Sequence, residues 1–287
     1  WNALDCDGDG VINGTEVADG TNPQNGCVYN VAHVTVAQSS TWNAGDCDTD
    51  GVTNGDEITG GTNPISADTD GDGVTDGTEI ADGTSATNGC AYNPAHVTLA
   101  QSATWNAADC DGDGITNGAE ITAGTNPLSA DTDGDGVTDG TEVADGTSAT
   151  NGCAYNPAHI TVAHNAAWNA LDCDSDGVNN GDEVIAGTNP LSGDTDGDGV
   201  ADGTEIADGT IATDACSFNP THITLPVTAS CSTDTDGDGV VDSQELLDGT
   251  STTDGCAYNP AHITQSHSST WNALDCDGDG VINGTEV

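Results

Sequence analysis

The sequence predicts a repeat protein with little regular secondary structure, built as a linear array of acidic loops joined by spacers. Three observations predict this fold class. The first is a twelve-residue acidic motif that recurs nine times. The second is that long and short distances between its copies alternate. The third is composition: five Trp, four Tyr and one Phe among 287 residues supply little material for a single large core. Metal ions and disulfides are therefore expected to provide much of the stability.

The acidic motif is clearest at residues 68–79, where carboxylates stand at the first, third, fifth, ninth and twelfth places and Gly73 stands sixth. This is the ligand spacing of an EF-hand-like calcium loop, in which the glycine permits a sharp turn and the last glutamate binds through both oxygens. Nine copies predict about nine or more Ca2+ ions. The copies begin at Asp5, Asp46, Asp68, Asp109, Asp131, Asp172, Asp194, Asp234 and Asp275.

The candidate ligands are the side chains at the first, third, fifth, ninth and twelfth places and the backbone carbonyl of the aliphatic seventh residue. In chain order they are Asp5, Asp7, Asp9, Val11, Asn13, Glu16; Asp46, Asp48, Asp50, Val52, Asn54, Glu57; Asp68, Asp70, Asp72, Val74, Asp76, Glu79; Asp109, Asp111, Asp113, Ile115, Asn117, Glu120; Asp131, Asp133, Asp135, Val137, Asp139, Glu142; Asp172, Asp174, Asp176, Val178, Asn180, Glu183; Asp194, Asp196, Asp198, Val200, Asp202, Glu205; Asp234, Asp236, Asp238, Val240, Asp242, Glu245; and Asp275, Asp277, Asp279, Val281, Asn283, Glu286.

The charge balance limits the partners. The chain has 49 acidic residues and neither lysine nor arginine, so cations must supply the neutralisation. Nine divalent ions would offset 18 of these 49 charges, which leaves room for more than one ion per loop. Nucleic acid is excluded as a partner because no residue can neutralise phosphate. No apolar run approaches the length of a transmembrane segment.

The loop spacings define the expected domain organisation. A long interval from Asp5 to Asp46 is followed by a short one to Asp68, and long and short intervals then alternate until the eighth loop. Residues 271–287 repeat residues 1–17 letter for letter, which indicates a 270-residue period. We therefore read the chain as mature material or a segment of a longer polypeptide. The predicted units are residues 1–45, 46–108, 109–171, 172–233 and 234–274, with 275–287 as the restart of the period.

Regular structure is expected to be short. Runs such as residues 79–83 permit one or two helical turns after a loop, before glycine stops the helix. Proline, glycine, serine and asparagine in front of each loop predict that no helix enters it. In the long spacers, Val34-Thr35-Val36 and Ile160-Thr161-Val162 show the alternation of short β-strands, which would pair into small sheets between neighbouring units.

The eleven cysteines predict a disulfide framework. Four sequential pairs share one spacing, a fifth pair stands slightly closer, and each pair would close a long spacer. Zinc ligands commonly come as close cysteine pairs or as cysteine with histidine, and no such arrangement occurs, so disulfides are favoured over a thiolate metal site. Disulfides predict an extracellular protein, secreted or on the cell surface. The pairs are Cys27 with Cys47, Cys90 with Cys110, Cys153 with Cys173, Cys216 with Cys231, and Cys256 with Cys276; Cys6 is left for a preceding repeat.

Residues 68–79, together with Gly-Thr-Asn-Pro spacers such as residues 61–64, resemble the thrombospondin type 3 calcium repeats of bacterial secreted proteins. The resemblance covers all nine loops and the short spacers. It implies a calcium-wrapped chain with little regular secondary structure, of the kind that forms stalks or spacers in extracellular proteins. The long spacers, with their Cys-x-Tyr-Asn-Pro-x-His pattern, depart from it.

Two sets of recurring residues outside the loops are interpreted as structural. A tryptophan stands four residues before a loop five times and is expected to form a small core with the Tyr or Phe of its spacer. The alternative is an exposed ring that stacks on sugar. Five histidines recur in the long spacers, where a structural role is favoured over metal ligation or catalysis. They are His33, His96, His159, His222 and His262.

Three function classes follow. The leading hypothesis is an extracellular, calcium-stabilised structural repeat protein that forms a fibre, stalk or matrix element by self-association or covalent continuation into a filament. An adhesin that binds carbohydrate or a surface is the second, and the spacer region of a larger secreted enzyme is the third. The chain itself is not expected to be an enzyme, because every candidate catalytic His, Asp and Ser recurs from repeat to repeat, whereas an active site usually occurs once. The many serines and threonines leave O-linked glycans open as partners.

Overall fold

The structure is a computed structural model that describes residues 1–227 and 232–286, the last of these by its backbone alone. Two compact units are present. Unit 1 comprises Trp1–Thr132 and Val137–Val162, and unit 2 comprises Asp133–Gly136 and Ala163–Val287. Within each unit, acidic loops, short helices and irregular spacers follow one another in the predicted order. The finer division into repeats at residues 46, 109, 172, 234 and 275 stays a prediction.

Short α-helices are the main regular elements of the described chain. Those that follow a loop have seven residues, except the last, and the others have four. In chain order they are α1 (Asn13–Asp19), α2 (Ser40–Asn43), α3 (Asn54–Gly60), α4 (Asp76–Asp82), α5 (Ala103–Asn106), α6 (Asn117–Ala123), α7 (Asp139–Asp145), α8 (Ala166–Asn169), α9 (Asn180–Ala186), α10 (Asp202–Asp208), α11 (Asp242–Asp248) and α12 (Asn283–Glu286). Single 3₁₀ turns lie at Val31–His33, Pro94–His96, Pro157–His159, Pro220–His222, Pro260–His262 and Trp271–Ala273.

Each seven-residue helix begins at the ninth place of its loop and stops at a glycine. In α4 this glycine is Gly83, which has a φ of 76° that residues with a side chain rarely adopt. The backbone N–H groups of Gly83 and Thr84 both donate to the carbonyl of Glu79, which closes the helix end. The expected helical turns after the loops are therefore present, and they place the twelfth-place glutamate in the middle of each helix.

The prediction that no helix enters a loop is wrong for three long spacers. A single helical turn carries the tryptophan of the spacer at α2, α5 and α8. Serine forms the turn rather than preventing it, since the Ser39 hydroxyl caps α2 by accepting a hydrogen bond from the N–H of Trp42. Asn165 caps α8 in the same way.

The predicted short β-strands of the long spacers are also wrong, because the part of the chain that the structure describes contains none. Residues 34–36 and 160–162 are irregular. At the first of these segments the N–H groups of Thr35 and Val36 both donate to one carbonyl, that of Gly10 in the preceding loop. Two successive amides that share an acceptor cannot also form a ladder with alternating bonds, so the β-branched residues follow the loop instead of pairing.

The hydrophobic cores are small and local. Val11, Tyr29 and Trp42 form one buried cluster, and the rings of Tyr29 and Trp42 meet edge to face with centroids 5.8 Å apart. The indole N–H of Trp42 donates to the carbonyl of Gly26 over 2.6 Å. The same cluster recurs around Trp105 with Tyr92. The expected tryptophan–tyrosine cores are therefore present at Trp42 and Trp105, and both include the aliphatic seventh residue of an acidic loop, whereas Trp1 is largely exposed.

Disulfides close the long spacers. Bridges across 20 residues join Cys27 to Cys47, Cys90 to Cys110 and Cys256 to Cys276. A covalent closure of this length contributes about 3 kcal/mol in the chain-entropy model. Cys153, Cys173 and Cys216 are also disulfide-bonded, and Cys6 is a free, exposed thiol. Cys231, the predicted partner of Cys216, lies outside the described residues.

Candidate metal centres in the acidic loops

Each acidic loop is folded by its own carboxylates. In the loop at residues 68–79, one oxygen of Asp68 accepts the N–H of Gly71 at 2.7 Å and the other accepts that of Gly73 at 2.9 Å. One oxygen of Asp72 accepts the N–H of Val74. The chain therefore turns around its first and fifth residues, which brings the carboxylates of Asp68, Asp70 and Asp72 together with ligand atoms within 4.8 Å of one another.

The twelfth-place glutamate completes this group from the helix. Glu79 is wholly buried, and its Oε2 has no hydrogen-bond partner. The Oδ2 atoms of Asp70 and Asp72 are likewise buried and unpartnered. Burying an ionised carboxylate without a partner is strongly unfavourable. These oxygens therefore fit a cation that the protein chain itself cannot provide, since it lacks lysine and arginine.

The acid–base properties of the carboxylates follow from this crowding. Burial, and then the negative charges of Asp72 and Asp70, raise the pKa of Glu79 to about 8. Burial likewise raises the pKa of Asp72 to about 6, with Asp70 and Asp68 adding to the shift. The pKa of Glu16 rises to about 7 for the same reasons. Protons and a divalent cation thus compete for the same oxygens.

Oxygen ligands alone, several of them carboxylates, match the preference of Ca2+. The same three-aspartate arrangement recurs in the loops that begin at Asp5, Asp46 and Asp109. Glutamates at the twelfth place are fully buried in each of the eight loops whose glutamate side chain is described. The side chain of Glu286 lies outside the described part. The individual ligand assignments stay predictions.

The ninth-place side chain has other partners in this structure. In one class of loop the second residue is cysteine and the ninth is asparagine: Asn54 Oδ1 accepts the N–H of Cys47, and its Nδ2 donates to the carbonyl of Trp42. In the other class these places hold threonine and aspartate: both the N–H and the hydroxyl of Thr69 donate to Asp76. The ninth residue thus joins the loop to the second place and, in the cysteine class, to the tryptophan turn.

Loops separated by a short spacer are joined directly. The second oxygen of Asp50 accepts the N–H of Gly77, which is the tenth residue of the next loop, at 2.9 Å. A Cβ atom on Gly77 would lie 2.3 Å from the carbonyl oxygen of Asp50, so only glycine allows this approach. Gly140 with Asp113 and Gly203 with Asp176 repeat the contact. An ion bound in one loop would therefore lie close to the adjacent loop, to which its predicted ligand Asp50 is hydrogen-bonded.

Five of the seven histidines pair with acidic residues outside the loops. Nδ1 of His96 lies against the carboxylate of Asp82, the last residue of α4. The signal was available, because each histidine follows its aspartate at the same spacing along the chain. The pairs are His33 with Asp19, His96 with Asp82, His159 with Asp145, His222 with Asp208, and His262 with Asp248. This arrangement supports a structural role, in which the 3₁₀ turn of the spacer is attached to the end of the helix.

None of the helices in the described residues is long and apolar enough to cross a membrane. Comparison with family models gives a match to "Bacterial TSP3 repeat" that covers more than half of the chain. The matched segments are residues 5–26, 46–67, 68–84, 109–130, 131–147, 172–193, 194–210 and 234–250. Neither the curated proteins nor the solved structures contain a match to this chain.

Proposed function

Because the chain belongs to the bacterial TSP3 repeat family, we propose that it is an extracellular structural protein whose loops bind calcium and which extends by self-association or covalent continuation into a filament. The observation that carries the proposal is a set of fully buried glutamates in a chain that has neither lysine nor arginine. Such a set is stable only when protons or a cation neutralise it. Disulfides and the acidic composition fit an oxidising, calcium-rich environment outside the cell.

The first-, third- and fifth-place aspartates and the twelfth-place glutamate would hold the ion, with Asp68, Asp70, Asp72 and Glu79 as the example. Calcium would supply positive charge that offsets carboxylate repulsion, as in other domains that fold when they bind a metal. The protein's own contribution is to fix these oxygens, through the turn at Gly73 and the helix α4. Joined loops, such as those linked by Asp50 and Gly77, would then be held rigid relative to each other.

A feature of the surface supports association between chains. The residue that follows the buried glutamate is an exposed aliphatic side chain in loop after loop. Examples are Val17, Ile58, Ile80, Ile121, Val143, Val184 and Ile206, each about half exposed. Apolar residues repeated at one place of a periodic chain favour repeated lateral contacts over a single binding pocket. We also propose that this part of the protein is not an enzyme, since its buried acidic groups all recur from loop to loop.

Negative-stain microscopy of the purified chain, with calcium and with a chelator, tests the proposal. We expect uniform elongated particles or filaments in calcium and their loss in the chelator. Globular monomers that are indifferent to the chelator would contradict it. Specific signals on a glycan array, together with monomers in calcium, would favour the adhesin alternative instead.

A further inference from the structure

The long spacer returns to the acidic loop that precedes it. After the loop at residues 68–79, the N–H groups of Thr98 and Leu99 donate to the carbonyl of Gly73, each at 2.9 Å. Ser102 then donates to the carbonyl of Gly71 at 2.8 Å. The same atoms recur in the loop at residues 5–16, where Thr35 and Val36 donate to Gly10 and Ser39 donates to Gly8.

This contact divides the first eight loops into two groups. Capped loops are those followed by a long spacer, and they begin at Asp5, Asp68, Asp131, Asp194 and Asp234. Open loops are those followed by a short spacer, and they begin at Asp46, Asp109 and Asp172. A Cβ atom on Gly71 in a capped loop would lie 2.2 Å from the hydroxyl of Ser102, whereas one on Gly112 in an open loop would meet nothing within 4 Å.

The sequence at the fourth place reflects the same division. Every capped loop has glycine there, and two open loops instead have Thr49 and Ser175. Both residues adopt a φ of 69°, so the open loops accept a side chain in the left-handed region despite its strain. Glycine at the fourth place of a capped loop therefore has two causes: the left-handed φ of the backbone, and the spacer, which leaves no room for a Cβ atom.

Burial follows the cap. The seventh residue is completely buried in all five capped loops, whereas Val52, Ile115 and Val178 of the open loops are partly exposed. The fifth-place aspartates differ likewise: Asp72 is wholly buried and Asp113 is not. Water and chelators can therefore reach the fifth-place aspartate of an open loop directly, but reach that of a capped loop only after the spacer has moved.

We propose that the long spacers control access to the metal, so that this chain holds two kinetic classes of calcium site: capped loops that release calcium slowly and open loops that release it quickly. The inference rests on the proposed function, because it presumes that the loops bind calcium. Local opening of a segment held by several amide hydrogen bonds precedes exchange, which slows release without requiring different ligands. Release from the capped loops should be at least tenfold slower.

The test is stopped-flow mixing of the calcium-loaded full chain with an excess of a fluorescent calcium chelator, after the total bound calcium has been measured. We expect two phases, with the capped loops in the slow one. In Gly71→Ala the added methyl group collides with Ser102, so one loop's share of calcium should move from the slow to the fast phase. Gly112→Ala is the matched control, because its φ of 80° resembles the 86° of Gly71 while no spacer lies near it. It should leave the slow phase unchanged.

A second pair separates loss of the cap from loss of folding. A Cβ atom on Gly73 would lie 2.8 Å from the carbonyl oxygen of Leu99, and one on Gly114 would meet nothing within 4 Å. Gly73→Ala should again reduce the amplitude of the slow phase while the total bound calcium is retained, and Gly114→Ala should leave that amplitude unchanged. Full calcium binding with a single release phase, or equal kinetics for the members of each pair, would overturn the capping proposal alone. A chain that binds no calcium would overturn the proposed function as well.

Discussion

Replacement of the buried glutamate Glu79 by glutamine tests whether the twelfth place is a calcium ligand. Glu79 is fully buried, and this burial, followed by the negative charges of Asp72 and Asp70, raises the pKa of its carboxyl from 4.5 to about 8. At pH 7 this shift costs the metal-free fold about 3 kcal/mol, because each pH unit between 4.5 and 7 adds about 1.4 kcal/mol. Calcium binding must offset this cost, and the ionised carboxylate of Glu79 then becomes a ligand of the ion. Glu79→Gln removes both the cost and the ligand.

The assay is hydrogen exchange of the peptide that spans residues 68–84, followed through a calcium titration at pH 7. We expect the calcium concentration that gives half-maximal protection to rise at least tenfold in Glu79→Gln, equivalent to about 1.4 kcal/mol of binding free energy. If amides of this segment are still protected in chelator, their protection should be greater in Glu79→Gln than in the parent chain. Asp254→Asn is the control for lost charge, since Asn25, Asn88 and Asn151 stand at the equivalent place and accept the same type of backbone hydrogen bond. Identical midpoints for Glu79→Gln and the parent chain would refute the reasoning.

Two further predictions concern protons and covalent closure. Burial raises the pKa of Glu183 to about 7, and burial followed by the charge of Asp198 raises the pKa of Asp196 to about 6. The stability of the metal-free chain is therefore highest at and below the ordinary pKa values of these groups, and it falls as the pH rises through the raised pKa values. Calcium reverses the dependence because it needs the ionised forms; calorimetry at pH 6 and pH 8 should show weaker binding and more proton release at pH 6, and equal affinities would contradict this. The double change of Cys90 and Cys110 to serine should lower the free energy of unfolding of the calcium-loaded chain by about 3 kcal/mol, whereas a serine at the free Cys6 should leave it unchanged. Equal denaturant midpoints for the two variants would show that the bridge does not stabilise the spacer.

Much of the local structure was readable from the sequence because it depends on spacing. The order of carboxylates between Asp68 and Glu79 predicts a loop that turns at glycine, and the structure gathers Asp68, Asp70 and Asp72 as that order requires. The glycine after each seven-residue helix predicts its end. The prediction of a small core around the tryptophan that precedes a loop is confirmed at Trp42 and Trp105, and it is wrong for the exposed Trp1.

Other features depend on contacts between segments and could not be obtained from local pattern. The alternation at Val34-Thr35-Val36 is typical of a strand, but the acceptor is a single carbonyl of Gly10, and no local signal identifies that partner. The spacing predicts that Asp76 is a ligand, but it does not identify the two hydrogen bonds that Asp76 accepts from Thr69. The histidine–aspartate pairs are an exception, because each histidine follows its aspartate at a constant spacing that the sequence already shows.

The central claim is that the buried carboxylates of the loops hold calcium. Equilibrium dialysis of the full chain at neutral pH, with bound calcium counted per chain, tests it most directly. We predict about nine or more ions, in line with one or more per loop, together with increased protection of the twelfth-place glutamate amides in hydrogen exchange. A chain that binds one or two ions, or that shows the same protection in calcium and in chelator, would contradict it.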